Sequence, residues 1–214
     1  MQKYISEFIG TFILLVSIVG SGIAGQQYTN DQMVILVSHA VVIGLTLIFI
    51  IGIFANFSGA HFNPMVSILF FLQKELSKKD LFLFISIQIT AAILGSIFAN
   101  YIFGLSIVEI SSNIRSGTNI YISEVFASFG LLMVILLSKV GGKNIVAFNV
   151  GIYITAAIIF TSSASFANPA VSIARIFTES FAGINPSTVI FFIGSQVIGM
   201  FGAYFLYNRL FKTK

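Results

Sequence analysis

The sequence predicts an all-α membrane protein: six transmembrane helices plus two re-entrant half-helices, arranged as an inverted repeat. Three observations carry this. First, 57% of the 214 residues are hydrophobic and 8% are charged, with a mean hydropathy of +1.01, so charge is too scarce to cover a soluble globule of this size. Second, the apolar residues lie in long unbroken runs, not in the short alternating segments of a membrane barrel. Third, the helix-starting pair Asn-Pro occurs twice deep in apolar chain, in SGAHFNPMVS (58–67) and in SFANPAVSIAR (165–175).

The elements follow in order. The first span covers about 4–24; it holds Glu7 and lacks an A-x-A-like cleavage site, so it reads as a retained helix, not a signal peptide. The second covers about 33–54. The segment 58–75 then has Asn63 as cap and Pro64 at the first helical position, where no N–H is needed. Only two to three turns of apolar helix follow, too few to cross hydrocarbon, which takes about 20 residues. This segment enters and returns. Spans three, four and five cover about 81–104, 120–139 and 145–163. The segment 164–180 repeats the re-entrant pattern from Asn168-Pro169-Ala170, and the sixth span covers about 187–210.

The two halves repeat. Ser6-Glu7 in span one matches Ser123-Glu124 in span four, and Gln88 with Gly95 matches Gln196 with Gly199. The chain 1–214 is therefore expected to be a single transmembrane channel domain, with 1–105 as first repeat and 120–214 as second. Three spans per half is an odd number, so the second half is inverted in the membrane. Inverted repeats place their interrupted segments near the midplane.

Charge orients the chain. Lys3, Lys74, Lys78, Lys79, Lys139, Lys143, Arg209, Lys212 and Lys214, nine of the eleven basic residues, fall in alternate connections and at the two ends of the chain. The other side keeps Asp31, Glu109, Arg115, Arg175 and Glu179. The positive-inside rule then puts both termini in the cytoplasm, with the protein in the inner (plasma) membrane. This asymmetry also accounts for the isoelectric point near 9.4 without nucleic-acid binding. With no Cys, and two His and seven acids scattered along the chain, neither a metal site nor a cofactor site is expected, and no motif supports enzyme chemistry.

Physically, two inverted half-helices bring two N-termini together mid-membrane. Each carries partial positive charge and unpaired N–H donors. Irregular backbone at that depth must be buried in protein or line a wet cavity. The stretches Ser58–Phe62 and Ser163–Ala167 are expected to run extended and present carbonyls along a pore, while Asn63 and Asn168 point amide donors into it. A cation meets two positive helix ends and no carboxylate, so a passive pore for small uncharged solutes is favoured.

These residues resemble the aquaporin/glycerol-facilitator (major intrinsic protein) family over essentially the whole chain. The features that carry the resemblance are SGAHFNP, ANPAV, the paired Glu residues, and six spans with two half-helices. It implies an aquaporin-like fold and a homotetramer in the lipid bilayer, with one pore per subunit that passes small neutral solutes and water. Two departures stand out. The first motif reads Asn63-Pro64-Met65, and Met65 is expected to be accommodated by repacking, with a narrowed or reshaped midplane as the alternative. In the second, the position that is Arg in most of the family is Val171. Counting from the two Asn, the remaining outer-constriction positions fall on Ile43, Ala156 and Ser165; the ungapped IGLTLIFIIGIFANFSGAHFN supports the first. This quartet lacks the Arg and His of strict water channels and the aromatic corner of glycerol channels. GIYITAAIIFTSSASFANPAVSIAR with Phe181-Ala182-Gly183 is similar to a bacterial subgroup associated with arsenic resistance, which implies glycerol-like polyols and neutral metalloid acids, such as arsenite and methylated arsenicals, as solutes.

Several single residues have two readings each. Arg175 lies one turn beyond Val171 and either lines the outer vestibule or holds backbone carbonyls or Glu179. His39 lies one turn before Ile43 and either lines the vestibule or bonds between helices. His61 is expected to line the cytoplasmic half of the pore, as the resemblance implies. Glu7 and Glu124 are expected to accept N–H groups from the two extended stretches and so fix the carbonyl directions, with a proton relay as the alternative. The competing functions are a water-selective channel, an ion- or proton-coupled transporter, and a junctional protein with a closed pore.

Overall fold

In the computed structural model, residues 1–211 are described; Lys212 and Lys214 lie outside them. Six long helices are present among the described residues: α1 (Gln2–Tyr28), α2 (Gln32–Phe54), α4 (Lys78–Ile102), α5 (Thr118–Ser138), α6 (Lys143–Phe160) and α8 (Pro186–Leu210). Each is long and apolar enough to cross a membrane. Two short helices, α3 (Pro64–Leu72) and α7 (Pro169–Ala174), fill the two re-entrant places, and a 3-10 turn, Arg175–Phe177, continues α7. The order long, long, short, long occurs twice.

Local chemistry sets the helix starts. Asp31 accepts the N–H groups of Met33 and Val34 at the head of α2, at 2.8 and 3.2 Å. Ser77 accepts the N–H of Asp80 at the head of α4, at 3.1 Å. Pro64, Pro169 and Pro186 each occupy a first helical turn behind an Asn cap. The sixth helix thus starts by the same Asn-Pro device as the two half-helices.

The long helices pack as α1 on α4, α5 on α8, and α2 on α6 across the two halves. Small residues permit the closest approaches. A Cβ built on Gly151 would lie 2.5 Å from the carbonyl oxygen of Gly44 and 2.4 Å from Ile48 Cγ1, so α2 and α6 touch backbone to backbone there. At one end of the bundle Lys3 pairs with Asp80 at 2.8 Å, Lys139 pairs with Glu75 at 2.6 Å, and Lys143 donates to Asn56 at 2.9 Å. At the other end the connection between α4 and α5 lies over the α7 loop: Ser111 N–H donates to the Ile176 carbonyl and Asn185 N–H to the Asn113 carbonyl, both at 2.8 Å.

The α2–α6 contact generates a stability prediction. Gly151→Ala forces two backbones apart, and overpacking of this kind costs about 1–3 kcal/mol. Its thermal midpoint in detergent is expected to fall. Gly194→Ala, where a Cβ meets nothing within 4 Å, is expected to leave the midpoint unchanged or raise it.

Candidate functional site: a channel through the bundle

The two half-helices meet at their N-termini. Asn63 Oδ1 accepts the N–H of Met65 at 2.9 Å, and Asn168 Oδ1 accepts that of Ala170 at 3.0 Å. Each side-chain oxygen therefore caps its own helix. Each nitrogen crosses to the other half: Asn63 Nδ2 donates to the Ala167 carbonyl and Asn168 Nδ2 to the Phe62 carbonyl, both at 2.8 Å. Both Asn residues line the cavity, and each also ties the halves together with one N–H, which leaves one per amide for the pore. Pro64, Pro169 and Ala170 are buried behind the two Asn, and Met65, 4% exposed, lies in the core outside the cavity lining.

The stretches that lead into the half-helices are not simply extended. Ala60 and Phe62 in the first, and Ala164, Ser165 and Ala167 in the second, have φ between 45° and 55°. Such left-handed conformations cost non-glycine residues about 1–2 kcal/mol each. The mixture of left- and right-handed residues turns peptide N–H groups of each stretch toward a buried carboxylate. Glu7 accepts from Ser58 Oγ at 2.6 Å, from His61 and Phe62 N–H at 2.9 and 2.8 Å, and from Gln88 Nε2 at 2.8 Å. Glu124 accepts from Phe166 and Ala167 N–H at 3.2 and 2.6 Å and from Gln196 Nε2 at 2.7 Å. Both acids have no exposed surface and neither lines the cavity. Gln88 and Gln196 each donate a second hydrogen bond to a serine of the half-helix beside them, Ser67 at 3.0 Å and Ser172 at 2.9 Å.

A cavity of about 450 Å3 runs past the two Asn, from Lys139 and Lys143 at the basic end to His39 and Arg175 near the other. Its long walls are ladders of period four. Helix α2 contributes His39, Ile43, Leu47 and Ile51, continued by Ala55 just past its end, and α6 contributes Val146, Val150, Ile154 and Ile158. Residues four apart stack on one helix face, so each ladder forms a continuous strip.

Three of the four expected constriction residues, Ile43, Ser165 and Val171, line this cavity and are buried. Ala156 does not. It is exposed on the opposite face of α6, while Ile154 and Ile158 face the pore. Helix α6 runs antiparallel to α2, and Gly44 abuts Gly151 and Thr155. Ile154 therefore takes the place beside Ile43, and Ile158 lies one turn farther on, beside His39. The two-residue error arises because the link from α6 to Asn168 carries no landmark. The four-residue ladder back from Ile158 to Val146 was the available signal.

His61 lines the cavity and hydrogen-bonds Ser67 Oγ through Nδ1 at 3.1 Å, with its ring centroid 4.6 Å from that of Phe70. His39 also does both things expected of it: it lines the cavity, and its Nδ1 meets Ser21 Oγ at 2.8 Å. Arg175 lines the cavity while its Nε donates to the Ala182 carbonyl and its guanidinium lies 3.6 Å from the ring centre of Phe166. It does not pair with Glu179. That carboxylate takes the hydroxyl and N–H of Ser112 instead, which hold its pKa below the usual carboxylate value. Sequence reasoning missed Arg115, which donates to the carbonyls of Gly183 and Phe181 at 3.0 and 2.8 Å and lies 5.5 Å from Phe166.

Among the described residues no group of three or more His, Cys, Asp or Glu could hold a metal ion. The one carboxylate among the lining residues is Glu75, at the basic mouth, where Lys139 pairs with it.

Comparison with known proteins agrees with this fold. A family model described as Major intrinsic protein matches residues 1–161. Aquaglyceroporin AqpS of Rhizobium meliloti (strain 1021) is 38% identical over 198 residues, which are 92% of this chain and 85% of that protein. A probable TIP-type aquaporin of Medicago truncatula is 29% identical over 186 residues, 80% of this chain and 73% of that one. The X-ray structure of the aquaglyceroporin from Plasmodium falciparum matches with a TM-score of 0.73 at 21% identity, covering 98% of this chain and 96% of that one. At that identity the likeness is one of fold.

Two measurements check the site. Glu7→Gln exchanges a carboxylate that accepts four donors for an amide that turns an NH2 toward them. Each buried donor left unpaired costs about 1–3 kcal/mol, so the thermal midpoint is expected to fall sharply. Gln88→Glu, which adds a second buried acid beside Glu7, is expected to do the same. For the α6 register, Ile154→Trp is expected to lower solute flux into proteoliposomes, and Ala156→Trp to leave it unchanged.

Proposed function

The chain belongs to the major intrinsic protein family, whose members are membrane channels and not enzymes, and on that premise we propose a passive channel for small uncharged solutes, with glycerol-like polyols and neutral metalloid acids such as arsenite and methylated arsenicals among them. Water passes as well. The observation that carries this reading is the ring at Ile43, Ile154, Ser165 and Val171: three aliphatic side chains and one hydroxyl, with no charged side chain among the four. An apolar ring offers water little in exchange for its hydrogen bonds. It accepts the C–H surfaces of larger solutes.

A water-selective channel would need a narrow polar ring at this level. A cation- or proton-coupled transporter would need an acidic group in the lumen near the midplane. Glu7 and Glu124 are committed to backbone and Gln donors outside the lumen. A lumen lined at its centre by Asn63 and Asn168, at two positive helix ends, opposes cations and protons.

The repeats 1–105 and 120–214, the homotetramer with one pore per subunit, and an inner-membrane placement with both termini cytoplasmic belong to the same proposal. The charge asymmetry between the two ends of the bundle supports the orientation.

Stopped-flow light scattering on proteoliposomes tests the function with water, glycerol and trivalent arsenic hydroxide run side by side. Wild type is expected to pass all three. Val171→Arg is expected to cut glycerol and arsenic hydroxide while sparing water, because it fills and charges the ring. Wild type that passes water alone would overturn the solute assignment.

A further inference from the structure

The apolar ring has a second layer one helical turn outward. Ile43 is followed along α2's ladder by His39, Ile154 along α6's by Ile158, and Val171 is followed four residues later by Arg175. All six line the same cavity. The polar groups missing from the ring therefore reappear together in the next layer.

Their bonding states are complementary. The Ser21 hydroxyl lies 3.2 Å from the Ile18 carbonyl and 2.8 Å from His39 Nδ1. In the tautomer in which the hydroxyl gives its one proton to Ile18, Nδ1 carries the ring proton and Nε2 is the acceptor. Nε2 has no partner among the described residues. Arg175 spends Nε on the Ala182 carbonyl and its flat face on Phe166. Its two terminal nitrogens, with four N–H groups, have no hydrogen-bond partner among the described residues. His39 is 2% exposed and Arg175 3%, so these unspent groups belong to the pore and not to the outer surface.

Both are held by consecutive residues of one loop. The His39 ring packs edge-on against Phe181 with centroids 5.6 Å apart, and Arg175 bonds the carbonyl of Ala182. Arg115 fixes that loop from outside through the carbonyls of Phe181 and Gly183. A side chain fixed by its neighbours loses little entropy when it binds.

We propose that Arg175 and His39 form a hydroxyl-reading station one turn outside the apolar ring, at which a neutral polyhydroxyl solute is bound by donors from Arg175 and an acceptor from His39 before its C–H face enters the ring. Discrimination is thereby divided. The ring sets size, and the outer layer pairs the hydroxyls that the ring cannot pair. A hydroxyl offers both a donor and an acceptor, so it satisfies Arg175 and His39 together, whereas a cation is repelled by the guanidinium. The inference rests on the channel reading above.

The test compares the glycerol-to-water permeability ratio of wild type, His39→Phe and Arg175→Lys in stopped-flow proteoliposome assays. His39→Phe keeps a ring against Phe181 and removes the acceptor. Arg175→Lys keeps the charge and removes the fork. Only preparations that are monodisperse and pass water above protein-free vesicles are scored. The ratio is expected to fall about fivefold in each, which at 1.4 kcal/mol per tenfold is about 1 kcal/mol, one hydrogen bond. If both variants leave the ratio at or above the wild-type value, the station is overturned while the channel stands. If wild type itself excludes glycerol, both readings fail together.

Discussion

Backbone that is neither helix nor strand cannot stand in hydrocarbon unless every peptide group finds a partner. This chain puts two such stretches at the middle of a membrane. What makes them possible is the exchange between Asn63 and Asn168, in which each side chain caps its own half-helix with oxygen and reaches the opposite half with nitrogen. An Asp in either place would cap but could not cross, and a Ser would cap but could not reach. The requirement for one acceptor and one donor on a short planar group selects Asn. The rest of the midplane is built around that exchange: the prolines that need no donor, the left-handed residues before them, and the two buried carboxylates that collect the N–H groups these turn inward.

The carboxylates illustrate how position decides role. Glu7 and Glu124 sit in an apolar bundle, where an unpaired charge is prohibitive. Neither touches the lumen. Each is surrounded by donors drawn from a left-handed stretch and a Gln, so the acid works as a template for backbone shape. The strain stored at Ala60, Phe62, Ala164, Ser165 and Ala167 and the desolvation of two acids are both offset by the same N–H to carboxylate hydrogen bonds.

Much of this was legible in the sequence, for identifiable reasons. The six spans follow from hydropathy, and the half-helices follow because Asn-Pro is a helix start that apolar surroundings make conspicuous. Glu7 and Glu124 stand out because acids are rare in such a chain. What was hidden depends on geometry that no short motif encodes. The irregular stretches look plainly extended in sequence because Ala, Ser and Phe do not advertise left-handed φ. Ala156 was misplaced by two residues because the link from α6 to Asn168 is uniform in character, and only the ladder of four aliphatic residues reveals the face. Arg115 was unreadable because its partners are backbone carbonyls nearly 70 residues away in sequence. Arg175 had two readings, and the fold uses both in different parts of one guanidinium.

The span of the Asn exchange also sets an order of assembly. Asn63 bonds to Ala167, 104 residues later, and Asn168 to Phe62, 106 residues earlier. At about 5–20 residues per second of synthesis, the first half-helix waits roughly 5–20 s before its partner exists. The Glu7 bonds to His61 and Phe62 span only 54 and 55 residues and need nothing from the second half. The nascent first half can therefore hold its re-entrant turn with its own carboxylate, but it cannot complete the waist of the pore. The lumen closes into its final shape only when the second half arrives, so the permeation path is a product of both halves and of neither alone.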